Sequence, residues 1–419
     1  MAPLPRGFWL AVFVPFGAAY LASFALRSVN AAITVPLSQS FALDAAALGL
    51  LTAAYFLAFS FTQLPLGGWL DRFRPRRVDA ALLVFCALGC FVFALASRFE
   101  ALFLGRALIG LGVAACLMAA LRTFAQWLDA ARLPSINGAM LAVGNAGAMA
   151  ATVPAVWLLG FTDWRTLFVS IGLYVLAIAA WLAFAVPDPP AAARIAPPST
   201  DDRRDRLASW RIVLSNPYYR AIVPPCALVV AIGLAFQGLW AGPWLLDVAR
   251  VERQAIGHYL LLVPLGMLLA NLLLPRLLER WVERGGAALP FVLAAAGLAV
   301  LGQLPFLLSW GSVPALAMLL FGLTHVGGNL VFAALSPLVP AAVVGRLVTT
   351  INFTMFFGSF LLQWGMGLVI NRFPTAQLGR YEPEGYAAAF GLLLLIEIPA
   401  FAWAAWALRR HARSERLRA

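Results

Sequence analysis

Gln63-Leu-Pro-Leu-Gly-Gly-Trp-Leu-Asp-Arg-Phe-Arg-Pro-Arg-Arg-Val78 is the stretch on which the fold turns. One apolar segment ends in it, a short basic turn follows, and a second apolar segment begins at once. Arg72, Arg74, Arg76 and Arg77 crowd that turn. Cations packed into a short connection between two long apolar runs are what sets the topology of helices threaded through a bilayer.

The rest of the 419-residue chain repeats the theme. It is 63% hydrophobic and 11% charged, with a mean hydropathy of +0.87. Soluble domains are near half apolar and a quarter charged, so this is an integral membrane protein. Helices rather than barrel strands are expected, because the apolar runs are continuous where a barrel strand would alternate. The net charge of +12 does not point to nucleic acid, because the cations sit in short loops beside apolar spans. Every basic residue is arginine. Cys86, Cys90, Cys116 and Cys226 all fall inside apolar segments and read as packing residues; no second ligand pair suggests a metal. No cofactor motif is present either.

Twelve spans are expected, near 8–36, 47–70, 77–97, 100–127, 134–159, 164–185, 219–247, 254–278, 287–309, 313–336, 344–371 and 386–408. Each can cross a hydrocarbon core of about 30 Å. The first run is too long for a signal h-region and reads as a retained helix. With the N-terminus placed in the cytoplasm, most arginines fall in inner loops and tails. Only Arg98, Arg165, Arg250, Arg253, Arg372 and Arg380 fall in outer ones. Both termini are therefore expected on the cytoplasmic side of the inner membrane. Residues 186–218, with Pro-Asp-Pro-Pro and Asp-Asp-Arg-Arg-Asp-Arg, cannot bury a core and read as a cytoplasmic linker with a short surface helix near Trp210. The expected division is 1–185 for an N-terminal six-helix half, 219–408 for a C-terminal half and 409–419 for a basic tail. The halves echo each other: Leu70-Asp71-Arg72-Phe73 ends the second span and Leu278-Glu279-Arg280-Trp281 the eighth.

Gly67-x-x-x-Asp71-Arg72 with Arg76 and Arg77 behind it resembles the loop motif of the major facilitator superfamily, with Arg74-Pro75 where the family usually has Gly-Arg. Arg106-Ala-Leu-Ile-Gly110 and Asp163-Trp164-Arg165 are similar to further family motifs. The fifth span departs from the pattern, lacking the Gly-Pro pair typical of drug-proton antiporters. The resemblance implies two pseudo-symmetric six-helix halves, alternating access, a central site near mid-membrane and a monomer that carries its own pathway. It also implies a gate made of Gly67, Asp71, Arg72, Arg76 and Arg77, with Asp71 near Arg346 and one of Arg76 or Arg77 paired with Asp129.

Charges inside spans are expensive, so each is a functional candidate. Arg27 in the first span can share a face with Tyr20 and Asn30, and a guanidinium there suits a carboxylate. Pairing within the protein or snorkelling is the structural alternative. His325 with Asn329 on the tenth span and Glu397 on the twelfth are candidate proton carriers, each also explicable as a hydrogen-bonded packing residue. Arg106 divides in the same way between coupling and support. Gln237, Trp240 and Trp244 can line one face of a seventh span disturbed by Gly238, Gly242 and Pro243. Tyr55, Asn352 and Gln363 complete the candidate lining. No nucleotide loop or nucleophile triad is present, which argues against an enzyme or an ATP-driven pump. The expected activity is secondary transport of a small organic anion coupled to protons. Export of drugs or amphiphilic metabolites and a transporter-like sensor are the alternatives.

Overall fold

The computed structural model describes residues 7–129, 132–188, 210–340, 343–373, 375, 377 and 379–416. Twelve helices among them are long and apolar enough to cross a membrane. They are Trp9–Ser28, Ala45–Arg72, Pro75–Ala94, Phe99–Trp127, Ser135–Leu158, Trp164–Phe184, Pro217–Asp247, Ile256–Glu283, Ala288–Leu307, Pro314–Leu338, Val344–Ile370 and Pro383–His411, numbered spans 1 to 12. Span 1 continues beyond a break at Val29 into a second helix, Asn30–Phe41. The twelve expected spans are all present, shifted by a few residues at their ends. Most of the expected linker lies outside the described residues; its last part, 210–215, is helical.

Local chemistry starts these helices. Asp44 and Asp163 accept hydrogen bonds from the Ala47 and Thr166 amides at 2.7 Å, and Asn216 accepts from those of Tyr218 and Tyr219. Such caps satisfy amides that the first turn leaves without partners. The thermodynamics of Asp163 follows: hydrogen bonds from the Thr166 amide and hydroxyl stabilise its carboxylate and lower its pKa. Spans 2 and 8 end in the two echoed motifs, and each is 28 residues long.

Spans 1, 4, 7 and 10 are not regular. Span 1 is interrupted at Val29 and span 4 at residues 113–115. Span 7 contains a π turn, Phe236–Trp240, and span 10 passes through a 3-10 turn, Gly327–Leu330. Span 5 also breaks, at residues 151–152. Irregular backbone at membrane depth is tolerated where protein surrounds it or it lines a cavity.

Within each half the spans pack closely through small residues. A Cβ at Gly110 on span 4 would overlap the backbone of Tyr55 on span 2, and one at Gly322 on span 10 would overlap Val263 on span 8. Across the seam between halves, span 1 meets span 7, span 2 meets span 11 and span 5 meets span 8. The contacts are backbone-close at the end away from the termini. Gly242 abuts Ala31, Gly367 abuts Ala45, and Gly257 abuts Val153. There the Asn371 amide also donates to the Asp44 carboxylate across the seam, at 3.1 Å. At the other end, Gly67, Gly68 and Gly345 face open space. Spans 4 and 10 make no comparably extended contact among the described residues. Among the described residues, the backbone-close glycine contacts of the seam lie at the end away from the termini.

Gly110→Leu tests the packing. It should destabilise the protein by about 1–3 kcal/mol or more through overpacking against Tyr55, read as a lower melting temperature in detergent. Gly138→Ala, where the added methyl meets nothing, should leave that temperature unchanged.

Candidate functional site

Arg27 sits just before the Val29 break, where span 1 reaches the seam. Its own backbone carbonyl approaches Gly238 on span 7. The guanidinium carbon lies 4.5 Å from the ring centre of Phe24, 5.1 Å from Phe356, 5.7 Å from Phe59 and 6.0 Å from Tyr55. Three of these rings belong to the first half; Phe356, on span 11, belongs to the second. Phe59 and Phe356 touch each other across the seam, with centroids 4.1 Å apart. The Tyr55 side chain also forms a polar contact with Arg27. No carboxylate among the described residues pairs with Arg27, and its Nε has no hydrogen-bond partner. Tyr20 packs edge-on against Phe24 at 4.9 Å, one turn from the cage. Asn30, beyond the break, is buried with its side-chain oxygen unpartnered.

Neighbouring side chains hold this part of span 1. Arg106 is 1% exposed, donates to the Leu26 carbonyl at 3.3 Å, and lies over Phe93 and Phe168. Tyr55 donates to the Ser23 carbonyl at 3.4 Å. Both carbonyls precede the Val29 break, so these two side chains tie spans 4 and 2 to span 1 there. In this conformation Arg106 therefore does the supporting work anticipated as one of its two readings.

The second half departs from the sequence expectation in several places. Trp240 is fully buried and donates to the Gln363 carbonyl on span 11 at 3.1 Å, against Gly49 and Gly367. Trp244 packs into the second-half core on Phe306. The π turn at Phe236–Trp240 changes the helical period, so Gln237, only partly buried, does not join them in one wall. His325 and Asn329 do not share a face. His325 is 2% exposed, stacked on Phe321 at 3.7 Å, with Nδ1 2.9 Å from the Phe321 carbonyl oxygen. Asn329 is exposed on the 3-10 turn that Gly327 and Gly328 introduce. Asn352 lies one turn from Phe356 on span 11 and so shares its face.

The basic turn also pairs differently from expectation. Asp71 pairs with Arg122 of span 4, at 2.5 Å, rather than with Arg346. Arg76, together with Arg74, pairs with Asp188 just after span 6, rather than with Asp129. None of these three ion pairs reaches the second half. Arg72 lies over the ring of Phe73, and Arg77 is exposed.

Residues 16–363 match the sequence model of the Major Facilitator Superfamily. The chain belongs to that superfamily. A nitrate/nitrite transporter, NrtP of Picosynechococcus sp., is 32% identical over 111 residues, which is 26% of this chain and 21% of that protein. The match thus spans about a fifth of the relative's length. Among solved structures, a bacterial homologue of the lysosomal transporter Spinster, inward-facing and unoccupied, superposes with a TM-score of 0.76 at 16% identity, covering 97% of this chain and 98% of that one. A D-xylose-proton symporter gives 0.69 at 13% identity over 94% and 97%. The chain is a multi-pass membrane transporter of this superfamily.

Among the described residues, Asp79 and Glu397 are buried within the spans, and Asp247 at the end of span 7 is paired with Arg380 and Tyr386. Glu397 accepts a hydrogen bond from Gln303 on span 9 at 2.6 Å, the interhelical bond anticipated as its structural reading. Asp79, on span 3, is fully buried; both carboxylate oxygens lack hydrogen-bond partners, and the Cys116 thiol is its polar neighbour. Sequence reasoning missed the ring cage. Phe24 was findable one turn before Arg27, but Phe59 and Phe356 lie on other helices and carry no local signal.

Cysteine labelling tests the terminal end. Gly67→Cys and Gly345→Cys should react readily with a polar maleimide in detergent, and Gly49→Cys should not. The four native cysteines are buried, so background will be low.

Proposed function

We propose that this facilitator is a secondary active transporter that moves a small organic anion across the cytoplasmic membrane by alternating access. The observation that supports the reading is Arg27: a permanent, half-buried charge within span 1, beside the seam, with no carboxylate partner among the described residues. An unpaired charge at that depth is expensive. A substrate carboxylate supplies the missing partner, and the guanidinium fork can hold it bidentately. Tyr20, Tyr55, Asn30, Asn352 and Gln237 are proposed as neutral contacts. His325, Asn329 and Trp240 keep a substrate role only in a conformation where spans 7 and 10 have moved.

The arginine bias places both termini in the cytoplasm, so the terminal end faces inward. Rocking to the outward state requires Gly242–Ala31, Gly367–Ala45 and Gly257–Val153 to part. It also brings Gly67, Asp71 and Arg72 toward Arg346, with Arg76, Arg77 and Asp129 as further gate residues. Protons are proposed as the driving ion. Asp79 and Glu397 are the buried acids available in the spans, and Asp79 is the less encumbered of the two. A monomer suffices. Arg27 weighs against export of lipophilic cations, which a fixed guanidinium repels.

The test is carboxylate uptake or counterflow in proteoliposomes. Arg27→Gln should cut transport by roughly tenfold or more, the loss of a charge-assisted hydrogen-bonded pair. Arg27→Lys should restore it only in part, because a point charge does not replace the fork. Normal transport by a well-folded Arg27→Gln protein would remove the anion reading.

A further inference from the structure

The site specifies more than an anion. We infer that Arg27 and its ring cage select a monovalent carboxylate carrying a flat, aromatic body, in preference to dicarboxylates and to small inorganic anions. This rests on the reading of Arg27 as the anion contact.

The charge balance comes first. Arg27, Arg106 and Arg122 are the arginines within spans 1 and 4. Arg122 is paired with Asp71, and Arg106, 1% exposed, keeps its charge but turns its guanidinium onto the Leu26 carbonyl, out of a ligand's reach. Of the three, Arg27 is left to meet a ligand's charge. A second carboxylate would lie among Phe24, Phe59 and Phe356, over which Arg27 is the cation among the described residues, and a buried unpaired charge is costly. A monovalent acid leaves nothing unpaired.

The rings set the second half of the specificity. They surround the guanidinium carbon at 4.5 to 6.0 Å, and its Nε–H has no hydrogen-bond partner, which leaves that N–H for a carboxylate. A carboxylate bound edge-on projects its body between ring faces. Flat apolar groups pack there by offset or edge-to-face contact. An inorganic anion would fill the charge and leave the rings unused. Phe356 contributes from across the seam, so an aromatic body would touch both halves at once. That contact gives Phe356 a specificity role that charge alone does not.

The experiment is calorimetric titration of the purified full-length protein in detergent with benzoate, succinate and nitrate. Wild type, Phe356→Leu, Phe356→Tyr, Phe59→Leu and Arg27→Gln are compared. Benzoate should bind most tightly. Phe356→Leu and Phe59→Leu should weaken benzoate by roughly three- to tenfold, the range of a ring contact, while leaving nitrate nearly unchanged. Phe356→Tyr, which keeps the ring, should restore benzoate binding and so separate ring chemistry from misfolding. Tighter binding of succinate or nitrate, still lost in Arg27→Gln, would overturn the proposed class and leave the anion reading standing. Benzoate binding indifferent to both leucine variants would overturn the role of the rings. Binding of all three anions unchanged in Arg27→Gln would overturn the anion reading, and this inference with it.

Discussion

The seam away from the termini depends on backbone meeting backbone. Gly242 lies on Ala31, Gly367 on Ala45 and Gly257 on Val153, with no side chain between. In lipid there is little hydrophobic drive to press one helix on another, because the tails are as apolar as leucine. Close approach of small residues, with the dispersion it permits, replaces that drive. The same close approach puts Arg27 beside span 7 and brings Phe356 of span 11 over its charge.

Arg27 then carries a charge that no acid among the described residues meets. Four rings surround the guanidinium, and Arg106 and Tyr55 hold the carbonyls just ahead of the break beside it. Cation–π contacts return part of the lost hydration, and the Nε–H is left without a hydrogen-bond partner. The arrangement keeps the charge in place and available. A salt bridge would hold it as firmly and leave nothing for a ligand.

The sequence disclosed what depends on composition and on local order. Long apolar runs gave the spans, and the Gly67–Arg77 motif gave the superfamily. What it concealed depends on helix period and on tertiary contact. His325 and Asn329 share a face only if span 10 is a regular helix, and Gly327-Gly328 prevents that. Gln237 and Trp240 were aligned on a period that the π turn at Phe236–Trp240 alters. Asp71 finds Arg122 of span 4 instead of Arg346, a choice of partner that is made by tertiary contact and carries no local signal. Phe59 and Phe356 are ordinary membrane phenylalanines until the fold places them on Arg27.

The length of spans 2 and 8 carries a mechanical consequence. At 28 residues each helix is about 42 Å long, well beyond a hydrocarbon core of about 30 Å. The excess must be taken up by tilt or by projection into the headgroups. These are the helices that deliver Asp71-Arg72 and Glu279-Arg280 to the terminal end. Bilayer thickness thereby becomes a variable of the machine: a thicker membrane uprights both helices, and a thinner one lays them over. Membrane composition thus acts on the tilt of spans 2 and 8 directly.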